Sequence, residues 1–320
     1  MREIEEIAGQ IIDDVSKIVI GKREQIKLVV MAILSGGHIL FDDLPGVGKT
    51  TLVKVISRVM GCSFSRVQFT PDLLPSDIIG MNVFNQKSGE FNMRPGPILT
   101  HIFLADEINR ALPRTQSALL EAMEELQITV DGVTYPLPAP FLVLATQNPV
   151  EMESTFHLPV AQMDRFFIRL SLGYPSHDDE VEMLRVVGDE QILTWVAPLL
   201  NAEKISELQV KIRDVFISDG VLHYIVSLVE ATRQSELLRL PVSPRGSRSL
   251  YRASKAWAAM AGRNYVTPDD VKALAPYVLS HRMAVAGEAR LNGKQAADIL
   301  QEILAGVAAP AAKEEILRAK

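Results

Sequence analysis

Ten residues constrain this chain more than any others: Asp42-Asp43-Leu44-Pro45-Gly46-Val47-Gly48-Lys49-Thr50-Thr51. They follow the apolar run Ile39-Leu40-Phe41 and precede Leu52-Val53-Lys54-Val55-Ile56, which has helical spacing. Strand, tight glycine loop and helix, in that order, are the context of a phosphate-binding P-loop. Gly46 and Gly48 let backbone N–H groups approach phosphate oxygens where a Cβ would stand in the way. The helix start behind Thr50 adds unpaired donors and the positive end of a dipole. In such a loop Lys49 reaches the β- and γ-phosphates and the Thr50 hydroxyl takes Mg²⁺. Pro45, Val47 and Thr51 complete the nucleotide-binding candidates. The full pattern G-x-x-x-x-G-K-[ST] has Gly where this chain has Asp43. Downstream, the apolar run Ile102-Phe103-Leu104-Ala105 ends in Asp106-Glu107. A strand ending in adjacent carboxylates is where a P-loop enzyme keeps a Mg²⁺-binding Asp and a water-activating Glu.

The rest of the chain fits an ordinary globular protein. Its 320 residues suffice for two domains, or for one large core with an appendage. No apolar run approaches the length of a membrane span, and the acidic start Met1-Arg2-Glu3-Ile4-Glu5-Glu6 is no signal peptide. The single Cys62 excludes an internal disulfide and a cysteine metal cluster, which points to the cytoplasm. A net charge of -6 gives no overall attraction to nucleic acid. His38, His101, His157, His177, His223 and His281 have no ligand spacing.

Periodicity divides the chain near Pro175. Before it, Ile4, Ile7, Ile11, Val15 and Ile18 predict a first helix to about Val19, and Ile26, Val29, Val30, Ile33 and Leu34 a second. Ile20, in the joint between them, reads either as core or as the lining of an adenine pocket. Strands are predicted at Ile39–Phe41, Phe64–Phe69, Ile102–Asp106, Phe141–Ala145 and Phe166–Leu170. Hairpins are predicted around Ser88-Gly89 and around Asp131-Gly132, the latter suiting a type I′ turn. Short apolar strands alternating with helices argue for an α/β three-layer core with a mostly parallel sheet. After Pro175 only helical patterns are found: Asp178–Val187, Ser206–Val215, Asp219–Ser235, Pro244–Gly262, Pro268–Leu279 and Lys294–Gly306. The expected domains are residues 1–174, a nucleotide-binding core, and 175–320, a helical lid.

The segments DLPGVGKT, QFTPDLLPSDIIG, FLADEINRALPRTQSALLEAMEE, ATQNP, AQMDRFF, SPR and GRNYVTPDDV carry a resemblance over nearly the whole chain. It resembles the MoxR-type AAA+ ATPases, a hairpin-inserted group related to magnesium chelatase motor subunits. The resemblance implies an AAA+ core with β-hairpin insertions, a helical lid, ATP and Mg²⁺ as cofactors, and a homo-oligomeric, hexameric ring. It also implies an ATP-driven chaperone that matures or activates protein partners, often ones with von Willebrand factor A domains. Members of the group often carry an acidic residue at the position of Asp43. They usually carry Glu where this chain has Val160, in Glu153-Ser154-Thr155-Phe156-His157-Leu158-Pro159-Val160-Ala161, so one polar contact expected near a subunit boundary is missing.

On that resemblance Asn148 takes the sensor-1 role, fixing the water that Glu107 polarises. Arg165 corresponds to the arginine finger, facing the γ-phosphate of a neighbouring subunit. Arg245 matches sensor 2, on its own or a neighbour's nucleotide. Arg110 and Arg114 flank the helix after the catalytic strand, as relays between sites or as helix-start contacts. A DNA-translocating motor is the reading from another class, but no Lys or Arg lies between Gln127 and Phe141 to grip a strand. A chelatase-type motor subunit and a nucleotide switch that does not hydrolyse are the remaining alternatives.

Overall fold

The computed structural model describes residues 1–148, 156–186 and 197–310. Pro149, Glu153-Ser154-Thr155 and the expected helix end at Val187 lie outside the described residues.

Two amphipathic helices open the chain, α1 (Arg2–Ser16) and α2 (Arg23–Leu34). The first buries Ile4, Ala8, Ile11, Ile12 and Val15, the one-sided stripe its spacing predicts. It stops at Ser16, three residues short of the expected Val19. The central sheet is built from β1 (Ile39–Asp42), β2 (Phe64–Gln68), β5 (Ile102–Asp106), β8 (Leu142–Gln147) and β9 (Ile168–Leu170). Their order is β2-β5-β8-β1-β9, and every neighbouring pair is parallel. Ile39 and Phe41 join one apolar cluster while Leu40 joins the other, and Leu142/Leu144 against Val143/Ala145 divide the same way. A sheet buried on both faces has to be covered on both faces, which gives the three layers.

Two hairpins are inserted into this core. β3 (Gly80–Asn85) pairs with β4 (Glu90–Pro95), and β6 (Gln127–Val130) with β7 (Val133–Pro136). Asp131 and Gly132 have φ of 49° and 82°, the left-handed pair a type I′ turn requires. Asn82 donates to Asp131 at 2.8 Å, tying the two hairpins together. The short helix α4 (Pro75–Ile79) precedes β3, and α3 (Lys49–Val59), α5 (Pro113–Glu125) and α6 (Val160–Met163) complete the core.

Beyond α7 (His177–Val186) the described chain is mainly helical: α8 (Ala202–Ile212), α9 (Asp219–Gln234), α10 (Pro244–Met260), α11 (Pro268–Leu279), α12 (Gly287–Leu291) and α13 (Ala296–Gly306). Thr267 caps α11 reciprocally with Asp270, as the Thr-Pro-Asp-Asp start predicts. One departure from the helical pattern is the antiparallel pair β10 (Leu238–Leu240) with β11 (Ala284–Val285). Strands of three and two residues are too short to show a two-residue alternation. Of these helices α10 packs on both α1 and α2 and α8 packs on α2, and one apolar cluster runs from Ile4 through the sheet to Leu300.

Buried His38 holds two strands' surroundings together. Val143 N–H donates to its Nδ1 at 3.0 Å, and its Nε2 meets the Met123 carbonyl at 3.1 Å. That pattern demands the neutral ring, and burial pushes its pKa down to about 4. An unfolded histidine titrates near 6.5, so between the two values the unfolded chain binds the extra proton and acid destabilises the fold. The loss from His38 is about 2 kcal/mol by pH 5. Melting curves at pH 7 and pH 5 should therefore show a larger drop for the wild type than for His38→Gln, whose amide cannot titrate.

Candidate active site

The phosphate loop leaves the C-terminal end of β1 and enters α3 at Lys49. Gly46 and Gly48 have φ of 84° and 88°, and a Cβ at either would meet nothing within 4 Å. Glycine is needed there for backbone conformation, and the space beside it is left open to a ligand. Pro45, Gly46, Gly48, Lys49, Thr50 and Thr51 border a cavity of about 370 Å³, whose other wall includes Asp106, Glu107 and Asn148. Val47 turns away and packs against the core, and Ile20 is half-buried and not in the wall of this cavity.

Lys49 Nζ donates to the carbonyls of Asp43 and Leu44, at 2.9 and 2.8 Å. Burial lowers its pKa, with Asp43, Asp106, Asp42 and Glu107 opposing the shift. An ammonium resting on neutral carbonyls in a half-buried site is poised to exchange them for an anion. Asp43, at the position where the general pattern has Gly, is 5% exposed and fully engaged. Its carboxylate accepts from the Ser171 hydroxyl at 2.6 Å and from the Gly173 N–H at 3.1 Å, and also from the Leu172 N–H. The phosphate loop is thereby fastened to the segment that leads out of β9 towards the helical part.

The acidic pair is held by neighbouring strands. Asp106 Oδ1 accepts from the Thr146 hydroxyl of β8 at 2.6 Å. Asp106 Oδ2 accepts from Arg66 of β2, from Nε at 2.9 Å and from Nη2 at 2.8 Å. Glu107 has left-handed φ, 56°, and its N–H donates to the same Thr146 hydroxyl at 2.8 Å. Its Oε2 accepts from Gln68 Nε2 at 2.7 Å and from Arg110 Nη1 at 2.8 Å. Arg66, Gln68 and Thr146 are site residues that sequence reading passed over. The available signal was weak: Arg66 and Gln68 are polar residues two apart in a five-residue strand, so they share a side.

Arg165 and Arg245 lie elsewhere. Arg165 Nε is 3.0 Å from Glu124 Oε2, and Arg245 reaches the other oxygen of the same carboxylate. Asp164 is gripped from the helical part by the Ser243 hydroxyl at 2.9 Å and by the buried Arg282, whose Nη1 donates to the Asp164 carbonyl at 2.7 Å. The two arginines line a cavity of about 350 Å³ together with Gly36, Gly37 and His38. Those residues precede β1, whereas the phosphate loop follows it. The two cavities therefore sit at opposite ends of a strand whose four residues span about 13 Å. Arg110 sits on Glu107, which makes it part of the site.

The donor set suits Mg²⁺. Among the described residues no group of three or more His, Cys, Asp or Glu could hold a metal alone. Mg²⁺ ordinarily binds through one or two protein oxygens and substrate phosphates, and Thr50 with Asp106 supplies such a pair. No described helix is long and apolar enough to cross a membrane.

Residues 38–168 match the model of the ATPase family associated with various cellular activities, and residues 230–303 that of the AAA lid domain. The chain is 45% identical over 314 residues to the uncharacterized protein YeaC of Bacillus subtilis, covering 98% of each. It is 38% identical to chaperone MoxR1 of Mycobacterium tuberculosis, over 93% of this chain and 81% of that protein. A solved structure of a Cytophaga hutchinsonii protein, 38% identical, superposes with a TM-score of 0.90 over 97% of this chain and 96% of the other. Matching core, matching lid and near-full-length relatives agree: the chain belongs to the MoxR-type AAA+ ATPases.

Proposed function

We propose that this chain hydrolyses ATP with Mg²⁺ in a homo-oligomeric, hexameric ring in the cytoplasm, and that the cycle remodels or activates protein partners with von Willebrand factor A domains. One observation carries the catalytic part: a single cavity has the phosphate loop on one wall and Asp106, Glu107 and Asn148 on the other. The chaperone name of the Mycobacterium relative supports the protein partners.

The chemistry follows from placement, since phosphoryl transfer to water needs mainly positioning and charge neutralisation. Lys49 gives up the Asp43 and Leu44 carbonyls for the phosphates, and the loop N–H groups add donors. Thr50 and Asp106, which border the same cavity, would hold Mg²⁺, and the ion would supply neutralisation of phosphate charge. Arg66 and Thr146 keep Asp106 in its rotamer. Gln68 and Arg110 occupy Glu107 Oε2, so Oε1 takes the attacking water, with Asn148 on its far side. Arg165 and Arg245 serve the nucleotide of the adjacent subunit, because their own lies at the other end of β1. The domain reading, a nucleotide core over 1–174 and a lid over 175–320, fits this arrangement.

The binding half of the reading is tested by Lys49→Ala, which deletes the charge facing the phosphates. A charge-assisted contact is worth roughly 1.5–3 kcal/mol, so affinity should fall about ten- to a hundredfold. A calorimetric titration with Mg·ATP measures it, and unchanged affinity would remove Lys49 from the phosphate site.

A further inference from the structure

The segment that bears Arg165 and the helix start that bears Arg245 are joined by one residue, which lines neither of the two cavities. Arg282 ends the single turn Ser280–Arg282 that follows α11, and its side chain is 1% exposed. Its Nη1 donates to the Asp164 carbonyl at 2.7 Å and also to Asp164 Oδ1. Its Nη2 donates to the carbonyls of Phe166 at 2.6 Å and Phe167 at 3.2 Å. Peptide groups on both sides of Arg165 therefore close on one guanidinium, whose planar fork fixes direction as well as distance. Nε2 of the buried His281 meets the same Phe166 carbonyl at 3.1 Å.

The same guanidinium reaches α10. Nη2 donates to the Ser249 hydroxyl at 3.2 Å. A Cβ at Gly246 would stand 3.3 Å from Arg282 Cδ, so the first turn of α10 rests on the stem of this arginine. The Ser243 hydroxyl accepts from the Arg245 N–H at 3.2 Å and donates to Asp164 Oδ2 at 2.9 Å. Arg245 Nη1 stands 3.8 Å from that oxygen. Burial lowers the pKa of Arg282, and the Asp164 carboxylate opposes the shift.

Capping a helix end does not account for these contacts. The carbonyls of Val160, Gln162 and Met163 in α6 already accept from the N–H groups of Asp164, Arg165 and Phe166. What Arg282 holds is the chain beyond α6, where Arg165 stands, against the turn where Arg245 stands. We propose that Arg282 is a positioning residue for this arginine pair, fixing the two backbones in one register so that both side chains reach the adjacent subunit's nucleotide together. The proposal rests on the reading that Arg165 and Arg245 act on that nucleotide. Arg282 belongs to the helical part, so the seating of that part on its own core sets the geometry of the neighbour's site.

Arg282→Lys tests it, because lysine keeps a charge opposite Asp164 but has no planar fork to bridge Phe166 and Ser249. In rings that sedimentation shows to be assembled, kcat should fall on the order of a hundredfold with KM for Mg·ATP unchanged, the mark of a contact made in the transition state. The defect should also lie in the neighbour's site. Mixed with Lys49→Ala chains, Arg282→Lys chains should regain part of the phosphate release, since the intact phosphate site of one meets the intact arginine pair of the other. A residue that only maintains its own subunit's fold would instead raise KM and leave the mixture inactive. Asp164→Asn, which weakens one charged contact and keeps an acceptor, should lose roughly tenfold in kcat with the same unchanged KM and the same recovery. That variant decides the matter if Arg282→Lys does not fold or assemble. Wild-type kcat, a raised KM, or a mixture without recovery would each overturn the proposal. Arg165→Ala with full turnover would remove the reading beneath it, whereas a slow Arg165→Ala beside a fast Arg282→Lys would remove the positioning role alone.

Discussion

Glu107→Gln is expected to bind Mg·ATP as the wild type does and to lose hydrolysis by about 10²–10⁴-fold, the usual worth of a positioned general base. The substitution keeps the size of the side chain and an oxygen for the Gln68 and Arg110 donors that now hold Oε2. What it removes is the negative charge that polarises water. The left-handed backbone at Glu107, fixed through Thr146, would still present the amide to the same place. Nucleotide affinity and steady-state phosphate release separate the two effects. Turnover close to wild type would take Glu107 out of the mechanism, and a collapse of affinity would mean that it serves binding.

Arg165→Ala is expected to lower turnover by about 10³–10⁵, the range of an arginine finger supplied from outside the site. Affinity of the same chain for Mg·ATP should hardly change, because the guanidinium lies at the opposite end of β1 from the phosphate loop. In this structure Glu124 is the anion between Arg165 and Arg245, at 3.0 Å from the Arg165 Nε. A neighbour's γ-phosphate would have to draw both arginines from that carboxylate. The exchange is plausible in energy because the Glu124 and Arg165 side chains are 39% and 32% exposed, where an ion pair is worth about 1 kcal/mol or less.

Much of this architecture was legible locally. The glycine loop between Phe41 and Leu52 declares itself by composition, β1, β5 and β8 are short apolar runs, and Asp131-Gly132 names its own turn. The rest depends on which strands become neighbours. Arg66 and Thr146 meet at Asp106 only because β5 lies between β2 and β8, an order that no local pattern encodes. The same holds for Asp43, whose carboxylate finds its donors at Ser171–Gly173, some 130 residues away. Glu124, Arg165 and Arg245 come together across three separate elements, so the sequence pointed to the two arginines and not to the carboxylate between them. Ile20 shows the reverse case, a residue whose apolar context fits both a pocket and a core, and which stands outside the wall of the phosphate cavity.

The shared active site is the centre of this account, and mixing two inactive variants tests it most directly. Lys49→Ala chains lack a working phosphate site but keep Arg165, and Arg165→Ala chains keep the phosphate site but lack the finger. Each alone should release almost no phosphate. Mixed in equal amounts under assembly conditions, some interfaces pair an intact Lys49 site with an intact Arg165 from the neighbour, and phosphate release should return in part. A mixture that stays as inactive as its components, in rings shown by sedimentation and labelling to contain both chains, would contradict the account.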